Sequence, residues 1–255
     1  MEVLADILKT TEHRPWPLPE GPWSIRQRWC DLAFLHWSLD ANVLRPLVPK
    51  ELEIETFEGR AFLGVIPFWM RGVRLPYTPA VPLPALSDFP ELNVRTYVRA
   101  GGKSGVYLFS LDAQSRLAVS IGQRGYHLPY FNARMEFSHE EGRGFFYRSQ
   151  RHEWGRAPAF FEAVVQPVGP EFCARQGSLE YFLTERYAFF TLDGQGDLVA
   201  CDVHHLPWPL QAAECRLGHN TLLKTWGIEG AAPPEHLLFS KGVGVVGYSP
   251  VVVGR

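Results

Sequence analysis

Phe89-Pro90-Glu91-Leu92-Asn93-Val94-Arg95-Thr96-Tyr97-Val98 is the stretch on which the fold turns. Side chains alternate along an extended chain. Phe89, Glu91, Asn93, Arg95 and Tyr97 therefore share one face, and Leu92, Val94, Thr96 and Val98 share the other. The second face is apolar or β-branched throughout. The first sets an acid, an amide and a base between two aromatic rings. Such a strand has two readings. In one, an ordinary sheet turns its polar face to water. In the other, a curved sheet encloses a cavity, and the polar row supplies the few placed polar groups that an otherwise apolar pocket needs.

Working outward, Ala100-Gly101-Gly102-Lys103 reads as a hairpin turn, with Val106–Leu111 as the returning strand. Further strand-like runs are Ala61–Pro67, Leu117–Ile121, Ala133–Ser138 and Phe145–Arg151, most of them bounded by Gly, Asp or Pro. Asp193-Gly194-Gln195-Gly196-Asp197 is a second hairpin turn, and Val243–Val253 reads as one or two closing strands. Helices are short: residues 2–10, a segment capped by Asp40 and stopped near Leu47 by Pro46 and Pro49, two turns capped by Ser178 through Glu185, and Leu210–Leu217. The run from Pro15 to Pro22 is expected to lie extended over the surface. With no repeat or long linker, residues 1–255 read as one β-dominated α+β domain, residues 1–22 forming an N-terminal helix and a Pro-rich arm.

Composition agrees with a turn-rich globular chain. Its 23 glycines and 21 prolines among 255 residues exceed the usual ~12%. Hydrophobic residues at 46% and charged residues at 20% exclude intrinsic disorder. A net charge of −2 offers no field for nucleic acid or an anionic membrane. Cys30, Cys173, Cys201 and Cys215 have no metal-ligand spacing and read as reduced thiols of a cytoplasmic protein. The start MEVLADILKTTEHRPWPLPEGPW has no basic segment before an apolar one, so no signal peptide is expected, and no run approaches the roughly 20 apolar residues of a membrane helix.

A second candidate cluster is Arg124-Gly125-Tyr126-His127-Leu128-Pro129-Tyr130. If extended, it puts Arg124, Tyr126, Leu128 and Tyr130 on one side and His127 on the other. Arginine beside phenols suits a carboxylate or phosphate, while an arginine paired to a nearby acid is the bland alternative. In His204-His205-Leu206-Pro207-Trp208-Pro209 the adjacent histidines point to opposite sides of a strand. One packs against Trp208 as a structural group, and no metal is expected. Arg186, in Thr184-Glu185-Arg186-Tyr187, is a further candidate for the same interior. Gly-x-Ser-x-Gly, P-loop, GxGxxG and His-Glu-x-x-His motifs are all absent, and no cofactor is called for.

The segments Leu35-His36-Trp37, LVPKELEIETFEGRAFLGVIPF (Leu47 to Phe68), FPELNVRTYV, GVYLFSLDA (Gly105 to Ala113), LTERY and HHLPWPLQ together resemble the uncharacterised YqjF-like family, in the right order from about Trp23 to Gly247. That family resembles acetoacetate decarboxylase in fold. The likeness shows in Gly21-Pro22-Trp23 through Arg28 and in a short helix followed by VPKELEIE. The resemblance implies an antiparallel β-barrel or cone wrapped by further strands and a few short peripheral helices, a buried site, and a homo-oligomer. It favours the cavity reading of the Glu91/Arg95 face.

The departure concerns the Schiff-base lysine on which acetoacetate decarboxylase depends. That lysine pair follows a Tyr-Pro, and the nearest counterpart here is Tyr126-His127-Leu128. The chain's five lysines, Lys9, Lys50, Lys103, Lys224 and Lys241, all read as exposed. The expected function is a cavity for a small carboxylate or oxo-acid without imine chemistry. Catalytic candidates are Glu91, Tyr126 and His127; substrate-binding candidates are Arg28, Asn93, Arg95, Tyr97, Arg124, Tyr130 and Arg186. Acid–base catalysis and non-catalytic binding in the same cavity both remain open.

Overall fold

The computed structural model describes residues 4–77, 87–140, 144–152, 158–228 and 233–254. In chain order these form α1 (Leu4–Lys9), β1 (Ile25–Leu39) and α2 (Ala41–Leu44), which runs into a 3-10 turn at Arg45–Leu47. Next come β2 (Glu53–Ile54), β3 (Ala61–Arg74), β4 (Phe89–Ala100), β5 (Lys103–Ala113) and α3 (Arg116–Tyr126). Then follow β6 (Tyr130–Glu140), β7 (Gly144–Arg151), β8 (Phe160–Phe172), α4 (Leu179–Thr184), β9 (Ala188–Leu192), β10 (Leu198–His205) and β11 (Leu210–Asn220). A second 3-10 turn at Leu223–Trp226 leads to β12 (His236–Gly247) and β13 (Val251–Val252).

The strands form one sheet that closes on itself twice. Five of them, in the order β12-β1-β3-β4-β5, make a shared wall. β12 pairs along one edge with β1 and divides the other between β11, at Leu210↔Ser240, and β10, at His205↔Val245. β5 divides in the same way. Its free edge meets β9 at Val106 and Tyr107, and β6 from Leu111 to Ala113. One ring is therefore completed by β9 and β10, the other by β6, β7, β8 and β11. Both of those β5 contacts are parallel and the remaining described pairings antiparallel. The end strands β2 and β13 have two residues each, too short to recruit another chain at the edge.

Double closure explains why the wall is buried on both faces. Leu92, Val94 and Val98 of β4 join Leu35, Leu63, Val65, Phe145, Tyr147 and Phe161 in one core, toward the longer ring. Phe89 and Tyr97 join Phe34, Phe68, Leu111, Tyr130, Val203 and Trp208 in the other. The alternation read from the sequence holds, and over most of its length both faces of β4 are buried.

Most elements lie where the sequence placed them, with their caps. Asp40 accepts from the Asn42 amide and Ser178 from the Tyr181 amide. Helix α1 begins within the predicted 2–10 segment, of which residues 2 and 3 lie outside the described residues. Two assignments are corrected. Leu117–Ile121 is not a strand but part of α3, which Ser115 starts by accepting from the Ala118 amide. Leu210–Leu217 is not a helix but strand β11, in which half-buried Ala213, Cys215 and Leu217 alternate with exposed neighbours. The N-terminal arm is also held more firmly than a surface run. Buried Arg14 donates to the Val203 carbonyl at 2.6 Å, and Trp16 Nε1 donates to Asp202 at 2.6 Å.

Candidate functional site

The polar row of β4 faces the ring closed by β9 and β10. There Glu91, Asn93 and Arg95 line a cavity of about 100 Å³ with Arg186 and His205 among otherwise mainly apolar walls, including Phe68, Met70, Leu111 and Trp208. β3 and β5 flank β4 and fix its register, Phe68↔Glu91 on one side and Glu91↔Ala113 on the other. From the opposite face the buried Tyr147 hydroxyl donates to the Glu91 carbonyl at 2.6 Å. The backbone that carries the acid is thus held on all sides.

Glu91 is 2% exposed. Burial in an apolar wall disfavours its charged form and pushes its pKa up to about 8, opposed only in part by the Tyr130 hydroxyl, which donates to Oε2 at 2.7 Å. The acid is therefore mostly neutral at pH 7. No salt bridge compensates it among the described residues. Tyr130 is pushed well above the usual phenol range by burial and by Glu91 itself, so it remains a donor.

The arginines are held differently. Arg186 is buried, pairs with Glu55, and donates from Nε to the Phe182 carbonyl at 2.7 Å. Arg95 donates from Nη2 to the Leu183 carbonyl at 3.0 Å and to the Tyr97 hydroxyl at 3.4 Å. Its Nε is buried without a hydrogen-bond partner, as is Oδ1 of Asn93. Each unmet buried polar atom costs on the order of 1–3 kcal/mol. Tyr97 is fully buried and donates to the Leu183 carbonyl at 2.8 Å, while His36 lies 2.6 Å from its oxygen. It positions Arg95 and does not line the cavity. His205 is stacked on Tyr187 with ring centroids 4.7 Å apart, 4.9 Å from Trp208, and burial lowers its pKa to about 4. It is a neutral wall, as the sequence suggested for one histidine of that pair.

A larger cavity of about 440 Å³ adjoins this one. The two share Gln27, Trp29, Met70, Leu128, Tyr130, Phe189 and Val203, so at most one layer of side chains separates them. Helix α3 covers the outer cavity with Ala118, Ile121 and Gly122. Gly122 is required by contact: a Cβ there would stand 2.4 Å from Cε2 of Tyr130, so a bare backbone lets the helix close onto the ring.

The structure thus brings together Glu91, Asn93, Arg95, Tyr130 and Arg186. Tyr126 lines only the outer cavity and donates to the Ser24 hydroxyl at 2.8 Å. The extended reading of residues 124–130 is corrected, because α3 carries Arg124 out to solvent, and Arg124 lines neither cavity. His127 ends that helix with φ 54° and also stays out of both cavities. Arg28 lies on the face of β1 opposite Gln27 and Trp29, next to Cys30. Of the five lysines none lines either cavity. Lys103, expected to be exposed, is half-buried and pairs with Asp202 at 2.5 Å. The sequence reading missed the outer cavity, whose mainly apolar walls come from seven separate segments of the chain.

A ring of strands closed twice in this way defines a class, that of the acetoacetate-decarboxylase-like fold. Solved structures bear this out. An acetoacetate decarboxylase-like enzyme from Sphingomonas wittichii RW1 superposes with a TM-score of 0.61 at 14% identity, over 94% of this chain and 98% of the other. The enduracididine biosynthesis enzyme MppR, complexed with the condensation product of pyruvate and imidazole 4-carboxaldehyde, gives 0.61 at 14% identity over 92% and 90%. Acetoacetate decarboxylase from Legionella pneumophila gives 0.57 at 13% identity over 94% and 93%. Within that fold the chain belongs to the DUF2071 family, described as an uncharacterized conserved protein, which matches residues 26–244. It is 43% identical over 211 residues to the uncharacterized protein YqjF of Bacillus subtilis (strain 168), covering 83% of this chain and 85% of that one.

Proposed function

We propose that this chain takes a small carboxylate or oxo-acid into the inner cavity and acts on it by acid–base chemistry without an imine. The observation that carries this reading is the meeting of unpaired polar atoms on Arg95 and Asn93 with a neutral Glu91 in one cavity. A ligand carboxylate placed against Arg95 satisfies the guanidinium through charge-assisted hydrogen bonds. Asn93 orients the ligand. Glu91, steadied by Tyr130, gives or takes the proton, its pKa near the working pH as such a group requires. Decarboxylation, tautomerisation and hydration of an oxo-acid all fit this arrangement. That none of the five lysines lines the cavity supports chemistry without a Schiff base.

Binding without catalysis is the second reading. It is favoured by the absence of His127 and Tyr126 from the inner cavity, which leaves Glu91 with few proton-transfer partners. Calorimetric titration with acetoacetate and 2-oxobutyrate, beside deuterium exchange next to the ketone followed by NMR, separates the two. Catalysis predicts exchange that Glu91→Gln abolishes while binding persists, and binding that Arg95→Ala abolishes. A receptor binds without exchange. Undiminished binding by a folded Arg95→Ala variant contradicts both.

A further inference from the structure

The inner cavity is too small to be the whole site. At the ~30 Å³ that a water-sized group occupies, about 100 Å³ takes a head of three or four heavy atoms. The adjoining 440 Å³ takes on the order of ten more, and it falls within the ~300–1,000 Å³ typical of ligand pockets, whereas the inner cavity falls below it. The two differ in chemistry as well as in size. Glu91, Asn93, Arg95 and Arg186 line only the inner cavity. The outer one is walled chiefly by apolar side chains such as Met70, Val73, Phe89 and Ile121. Tyr130 lines both and holds Glu91, so the polar and apolar compartments meet at its ring.

We infer that the ligand is an amphiphilic acid, with its carboxylate or oxo-acid head in the inner cavity and an acyl or aryl tail of roughly six to ten carbons in the outer one. This rests on the acid-binding reading above and extends it. A short oxo-acid fills only the head site and leaves the outer cavity unused. A tail with charge or several hydroxyl groups meets few polar partners there. Burying each methylene of a fitting tail strengthens binding by about fourfold, the equivalent of ~0.8 kcal/mol, until the outer cavity is full.

The test is a chain-length series of linear carboxylates from butanoate to dodecanoate, with the 1-alkanols of equal length, titrated calorimetrically against the full chain at pH 7. The inference predicts affinity rising severalfold per methylene to about octanoate or decanoate and then levelling, with each alkanol much weaker than its acid. Ala118→Phe, and separately Ile121→Trp, place bulk in the outer cavity only. In either variant whose melting temperature is preserved, the chain-length gain should disappear while butanoate binding remains. Acids that bind equally well at every length overturn the inference and leave the acid site standing. Alkanols that bind as tightly as acids, with the same chain-length gain, overturn the acid head and with it the proposed function. Failure of every acid to bind overturns both.

Discussion

Glutamine at position 91 separates the consequence of a buried neutral acid from every other titration in the protein. An ordinary glutamate ionises near 4.5, whereas Glu91 in the folded chain ionises at about 8. The unfolded chain therefore releases this proton first. The contribution of Glu91 to stability is fully present below about pH 4.5 and is lost progressively as the pH rises to 8. At about 1.4 kcal/mol per pH unit the whole loss is roughly 5 kcal/mol, of which roughly 3 kcal/mol has gone by pH 7. Glu91→Gln keeps an oxygen for the Tyr130 hydroxyl and has nothing to ionise. Urea unfolding of both proteins from pH 4.5 to 9 gives a difference that excludes His205, Glu185 and all other shared groups. That difference should tilt toward the glutamine variant by about 1.4 kcal/mol per unit up to pH 8 and then level. A difference independent of pH would show Glu91 to be ionised and solvated, and the reasoning for a neutral acid would fail.

Three further outcomes follow from the same geometry. Gly122→Ala should destabilise by about 1–3 kcal/mol, because its methyl meets the Tyr130 ring, less up to ~1 kcal/mol of improved helix propensity; a variant that melts higher than the parent contradicts the contact. Arg151→Met removes the buried guanidinium that pairs with Asp112 at 2.6 Å and should cost about 3–5 kcal/mol by urea unfolding, while a loss within about 1 kcal/mol would mean that the other partners of Asp112, Ser149 among them, suffice to hold it. Borohydride reduction in the presence of acetoacetate or pyruvate should leave the intact mass unchanged; a stoichiometric adduct mapped to one lysine would restore the imine mechanism.

The strands were legible where one face or both had to be apolar. In FPELNVRTYV alternation alone separated the residues that enter the two cores, though which face bordered a cavity depended on how the sheet closes. That closure is carried by pairings between residues far apart, such as His205 with Val245, which leave no local signal. The two misassigned elements failed for opposite reasons. Val119 and Ile121 gave α3 a strand-like composition, yet the Ser115 cap and the apolar spacing of Ala118 and Ile121 against the cavity make it a helix. Residues 210–217 are rich in helix formers, and pairing with β8 and β12 overrides that propensity. Glu91, Asn93 and Arg95 could be found in advance because one strand presents them together. Arg124 and His127 could not be placed, because their orientation depends on the end of α3. The outer cavity had no sequence signature, since its walls are the same residue types that fill a core.

The central claim is that Arg95 receives a carboxylate beside a neutral Glu91, and a crystal structure of the chain grown with octanoate at pH 7 tests it most directly. The account predicts the carboxylate in the inner cavity within salt-bridge reach of the Arg95 guanidinium, with the tail running past Tyr130 toward Ile121 and Tyr126. An empty inner cavity, or an octanoate reversed so that its carboxylate lies at the outer mouth, would contradict it.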